Sequence, residues 1–204
     1  MENIKNGLGS SETTREASLF DFRDFYKYGQ SPHVPRISEA FLEWFIGFYE
    51  EDGSICFRQR PERLRQKARF ELTLQIVQKE KKILDIIQKT FGFGYLCFNK
   101  RTSGEIVWKW AVGSKKDLER IAFLFSGNLI LPKRQRPFLE WLKVGHSTNL
   151  FLNVSLEKPW TSKVSLKDGW LSGFIDAEGC FYAKYLPSKS LNSKLGIEQK
   201  MVIS

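Results

Sequence analysis

Two stretches decide the reading: FIGFYEEDG at 45–53 and LSGFIDAEG at 171–179. Each is the end of an apolar run at helical spacing, with a glycine in its middle (Gly47, Gly173) and an acid just before a terminal glycine (Asp52, Glu178). Glycine inside a helix costs about 1 kcal/mol against alanine, and close backbone contact between two such helices is a compensation. Helices paired there bring Asp52 and Glu178 out at the same end. Acids are disfavoured at that end, because the helix C-terminus carries partial negative charge and two carboxylates repel. A hard divalent cation resolves both conflicts, and Mg²⁺ held by one or two carboxylates plus phosphate oxygens suits phosphoryl transfer.

Working outward from the first stretch, Ser38 reads as an N-cap and Gly53 as the stop of a helix. SICFRQR is a strand and ARFELTLQIVQ a second one, with Phe70, Leu72, Leu74 and Ile76 alternating against Arg69, Glu71, Thr73 and Gln75. KEKKILDIIQKTF is a helix ended by Gly92, and GYLCFNK with EIVWKWAVG forms a hairpin around 102–104. KKDLERIAFLFSG and RPFLEWLKVG are two helices with LILPKRQ between them. The order α-β-β-α-β-β-α-α predicts an α+β unit: one antiparallel sheet with helices on one face and a polar opposite face. The motif recurs 126 residues later, so a second repeat begins, but only 39 residues remain from 166 to Ser204. The expected organisation is a polar N-terminal extension over 1–36, a first repeat over 37–149, a linker over 150–165 and a partial second repeat over 166–204.

Composition narrows the partner. Thirty-two basic against 23 acidic residues give +9 and a pI near 9.5, which favours an anionic partner. The stretch 58–69, RQRPERLRQKAR, holds six basic residues and one acid. No apolar run reaches the roughly 18 residues a bilayer span needs. Three scattered cysteines (Cys56, Cys97, Cys180) exclude a zinc ribbon or a disulfide scaffold and point to a reducing compartment.

Together the two motifs and the order of elements resemble the LAGLIDADG homing endonuclease family, which also includes intron-encoded maturases. That resemblance implies a saddle in which paired motif helices form the interface and antiparallel sheets straddle double-stranded DNA in the major groove. It implies a site-specific double-strand endonuclease, a nuclease of the hydrolase class, encoded in a mobile intron, often of an organelle (chloroplast or mitochondrion). It also implies Mg²⁺ or Mn²⁺ as cofactor and a long asymmetric DNA target. Residue by residue, the metal acids are Asp52 and Glu178, while Gln78, Lys82 and Lys133 organise water or stabilise phosphate, and Gly47 and Gly173 form the helix interface. The face turned to DNA carries Ser54, Cys56, Arg58 and Arg60 on the first strand and Arg69, Glu71, Thr73 and Gln75 on the second. Tyr182 and Lys184 hold the matching positions in the second copy. Ile55 and Phe57 then belong to the core. The alternatives are a maturase acting on its host intron RNA and a catalytically inactive DNA-binding remnant. The brevity of the second copy leads to an expectation of self-association or of a missing C-terminal half.

Overall fold

A computed structural model describes residues 20–61, 69–186 and 196–203. Ser38 caps helix α1 (Glu39–Asp52) by accepting from the Phe41 amide at 3.3 Å, and Gly53 closes it and opens strand β1 without a loop. Strands β1 (Gly53–Arg60) and β2 (Arg69–Gln78) precede α2 (Lys81–Phe91), which Gly92 terminates in the left-handed region (φ 69°). Strands β3 (Tyr95–Lys100) and β4 (Ile106–Val112) form the expected hairpin, followed by α3 (Lys115–Phe125) and α4 (Pro132–Ser147). The second motif is α5 (Trp170–Glu178), continued by β5 (Gly179–Leu186) and β6 (Gly196–Ile203).

The first four strands make one antiparallel sheet in the order β1-β2-β4-β3, and β5 pairs β6 separately. Leu72, Leu74 and Ile76 of β2 and Trp110 and Val112 of β4 turn to one face and are buried. Beneath them lie Phe45 of α1, Leu84, Ile87 and Phe91 of α2, Ile121 and Phe125 of α3, and Phe138 and Trp141 of α4. Burial on one face with polar residues on the other is the half-covered antiparallel sheet the alternation predicts.

Four expectations are corrected. Phe57 has core parity, yet it is 45% exposed, and Phe70 on the same face is 37% exposed. The distal ends of β1 and β2 run past the helices. Residues 20–36 are no loose extension: Phe20, Phe22 and Phe25 are core residues, and a π-helical turn, Phe25–Gly29, packs on α3. The 150–165 segment is irregular but equally packed, with Phe151 and Val154 buried and Lys158 paired with Asp21 and Asp24 at 3.2 and 3.0 Å. Helix α4 also starts earlier than the sequence suggests. Pro132 sits at its first position, where no amide hydrogen is needed, and Pro137 lies inside it. The basic run between β1 and β2 lies largely outside the described residues.

Candidate active site

Helices α1 and α5 touch through their glycines. A Cβ on Gly47 would lie 1.9 Å from the Trp170 carbonyl oxygen, and one on Gly173 would lie 1.8 Å from that of Trp44. Because Trp170 stands 126 residues after Trp44, as Gly173 does after Gly47, the contact is reciprocal. Two hydrogen bonds obey the same symmetry. The Trp44 indole donates to Asp176 at 2.8 Å, and the Trp170 indole donates to Glu50 at 2.5 Å. The two bonds differ in depth: Asp176 is exposed, whereas Glu50 is wholly buried. Glu50 also accepts from the backbone amides of Ile130 and Leu131 at 2.8 and 2.7 Å, and burial pushes its carboxyl up to about 7. One carboxylate therefore ties α1, α5 and the start of α4 together. Glu43 adds a further tie by accepting from the Gly169 amide at 2.9 Å, just before α5.

This docking sets Asp52 and Glu178 as the last residues of their helices, and both line one open cleft of about 810 Å³. Burial pushes the Asp52 carboxyl up to about 6, with the charges of Glu178 and Glu51 adding to the shift. The Gln78 side-chain amide donates to Asp52 and fixes its orientation. Two hard carboxylates at the ends of paired helices in one cleft, with the charge of Glu178 adding to the cost of ionising Asp52, fit a divalent cation. Among the described residues no group of three or more His, Cys, Asp or Glu side chains is arranged to hold a metal. The pair could hold an ion only with further oxygens from substrate or water.

The basic residues are placed differently from the sequence reading. Lys133 pairs with Glu51 at 3.1 Å and does not line the cleft. Its neighbour Arg134 donates to the Glu50 carbonyl at 2.6 Å and to the Glu51 carbonyl, satisfying last-turn carbonyls of α1. The same guanidinium opposes the rise in the Asp52 carboxyl. Lys82 is exposed in the first turn of α2 and does not line the cleft, whereas Lys79 and Arg101 do.

The polar sheet face has the register the alternation predicts. Ser54 pairs with Gln75, Cys56 with Thr73 and Arg58 with Glu71, so these six share one face, and Arg60 is in register with Arg69, their side chains lying outside the described residues. Cys56 and Arg58 are exposed, and Glu71, Thr73 and Gln75 are half-buried. In the second copy Tyr182 pairs with Lys200 and Lys184 with Glu198, with Lys184 exposed. The hairpin extends the first face with residues the sequence reading left out. Val77 pairs with Lys109 and Gln75 with Ala111, while Cys97 and Tyr95 pair with Lys109 and Ala111 from the other side. The alternation of Lys109 with Trp108 and Trp110 is the signal that could have found it.

The LAGLIDADG endonuclease family model matches residues 45–145. Probable intron-encoded endonuclease 4 of Neurospora crassa is 32% identical over 166 residues, covering 78% of this chain and 28% of its own length. The intron-encoded RNA maturase bI4 of Saccharomyces cerevisiae is 25% identical over 214 residues, covering 99% of this chain and 30% of its own length. The chain therefore spans under a third of either relative. The LAGLIDADG meganuclease I-CpaMI, solved bound to uncleaved DNA, superposes with a TM-score of 0.54 at 18% identity, over 79% of this chain and 66% of that one. That likeness shows the fold.

Proposed function

Since this chain belongs to the LAGLIDADG endonuclease family, we propose that it acts in a site-specific, double-strand DNA endonuclease encoded in a mobile intron of an organelle genome. One observation carries the reading: two acids, Asp52 and Glu178, end paired helices in a single cleft that Lys79 and Arg101 also line. A cleft with carboxylates and cations side by side suits a phosphodiester, whose oxygens the cations would take directly and the carboxylates through a divalent ion.

Mg²⁺ or Mn²⁺ is the proposed cofactor, held by Asp52 and Glu178, where it would neutralise charge building on the phosphate and lower the pKa of attacking water. The chain's own residues do the rest. Gln78 holds the Asp52 carboxylate in place by its amide. Arg134 fixes the end of α1 and keeps positive potential beside the acid. Arg58, Thr73, Gln75 and Lys109 present major-groove donors and acceptors along the sheet, each good bidentate pairing discriminating bases by about 1–3 kcal/mol. In the second copy Tyr182 and Lys184 stand 126 residues after Cys56 and Arg58, and we assign them the same part.

The second reading, an RNA maturase, is favoured by the match of the Saccharomyces cerevisiae maturase along 99% of this chain. Asp52→Asn and Glu178→Gln separate the two. Either substitution should abolish cleavage of duplex DNA while leaving duplex binding intact, because each acid serves the same ion. Splicing assistance that survives both substitutions, with no cleavage by the parent protein, would replace the nuclease reading with the maturase one.

A further inference from the structure

On the polar face of the sheet, past the last paired residues, three side chains meet that belong to three different strand ends. Lys79 follows Gln78 at the end of β2, Arg101 follows Lys100 at the end of β3, and Glu105 precedes Ile106 at the start of β4. Alternation along each strand gives all three the parity of Gln75, Cys97 and Lys109. A tight turn brings two of them together, since the Arg101 amide donates to the Glu105 carbonyl at 2.8 Å. The Lys79 ammonium reaches one Glu105 carboxylate oxygen at 2.9 Å and the Arg101 guanidinium reaches the other at 3.3 Å.

Both cations also line the cleft that holds Asp52 and Glu178. Their side chains are 74% and 56% exposed and that of Glu105 is 36% exposed. Exposed ion pairs contribute little to stability, so water-facing cations exchange one anion for another at little cost. A phosphate offers the same two-oxygen face as the Glu105 carboxylate, and it adds counterion release that an internal carboxylate lacks.

We propose that Lys79 and Arg101 form a phosphate-binding fork at the mouth of the cleft, and that Glu105 occupies the fork until a phosphate of duplex DNA displaces it. The proposal rests on the duplex-DNA reading above. Glu105 acts as an internal competitor: it holds the two cations in a phosphate-ready spacing and lowers non-specific affinity at the same time. A phosphate gripped there lies in the same cleft as the acid pair.

Binding of a mixed-sequence duplex in metal-free buffer, followed by fluorescence anisotropy from about 50 to 200 mM salt, tests the fork without any need for cleavage. Lys79→Gln and Arg101→Gln should each lower the slope of log affinity against log salt by about 0.9, and the double variant by about 1.8. Glu105→Gln should tighten binding by about two- to fivefold, the worth of an exposed ion pair. The control is Glu140→Gln, which removes an exposed acid paired with Arg136 on α4, away from the cleft, and should leave affinity unchanged. A double variant with the parent slope would overturn the fork, as would a Glu105→Gln affinity no tighter than that of Glu140→Gln. A parent protein whose affinity does not respond to salt would instead refute the duplex-DNA reading, and the fork with it.

Discussion

Alanine at Gly173 should undock the second motif helix while leaving the first unit folded. The added Cβ would meet the Trp44 carbonyl oxygen at 1.8 Å, and a real Cβ does not approach below 3.0 Å, so α1 and α5 must part by at least 3.0 − 1.8 = 1.2 Å. Overpacking of that kind costs about 1–3 kcal/mol. Parting the helices also stretches the two indole–carboxylate bonds, Trp44 to Asp176 and Trp170 to Glu50, at about 1 kcal/mol each. Alanine returns about 1 kcal/mol of helix propensity. The net loss is about 2–4 kcal/mol, and it falls on docking, because α5 packs chiefly on α1. Hydrogen exchange should show the amides of Leu171–Ala177 losing protection about 30- to 1,000-fold while those of β2 and β4 keep theirs. Gly47→Ala should act alike, since its Cβ would meet the Trp170 carbonyl oxygen at 1.9 Å. The double variant should cost clearly less than the sum of the singles, because one widening relieves both clashes. Parent-like protection of α5 in Gly173→Ala, or strict additivity, would refute the close-packed interface.

Acid titration in metal-free buffer should show stability falling as pH rises from about 4 to about 7. Glu50 and Asp52 protonate in the folded chain near 7 and 6, above the unfolded carboxylate range near 4, so the native state binds more protons across that window. Melting temperatures measured across the window should decline, Asp52→Asn should flatten the decline below about 6 and leave the part between about 6 and 7 to Glu50, and a rising profile would contradict the assignment. Phe151→Ala should cost about 3–5 kcal/mol in urea unfolding, because the ring is fully buried against Trp141 at 4.5 Å between centroids. A cost under about 0.5 kcal/mol, the size of an ordinary surface change, would mean the 150–165 segment is not core.

Where a physical signal is local and repeated, the sequence carried it. Ser38 and Gly53 bound α1, and the alternation in 69–78 set the face and register of β2. The recurrence at 126 residues implies that Asp52 and Glu178 emerge at the same end of paired helices, and there both line one cleft. The losses occurred where tertiary contact replaces periodicity. Phe20, Phe22, Phe25 and Phe151 plug the core from irregular backbone, one ring at a time, and no window of alternation records that. The sequence places LILPKRQ between two helices, but the Glu50 carboxylate captures the amides of Ile130 and Leu131 and α4 begins at Pro132. Lys79, Arg101 and Glu105 were invisible as a group because only the pairing of three strands brings them together. The reciprocal partners could have been read. Trp44 with Glu50 and Trp170 with Asp176 stand at equal offsets in the two motifs, a repeat as regular as that of the glycines and the terminal acids.

That reciprocity makes each motif helix bilingual, carrying both the plug and the socket of the joint. Helix α1 offers an indole at Trp44 and a carboxylate at Glu50, which is the full complement needed to mate with another α1. Two molecules could in principle exchange handshakes, each ignoring its own α5. What discourages the exchange is delivery: the 150–165 segment is a fitted strut, pinned by Phe151 and by Lys158 to Asp21 and Asp24, and it presents α5 to α1 at a fixed address. Loosening that strut would favour partner-swapped dimers over the single-chain joint.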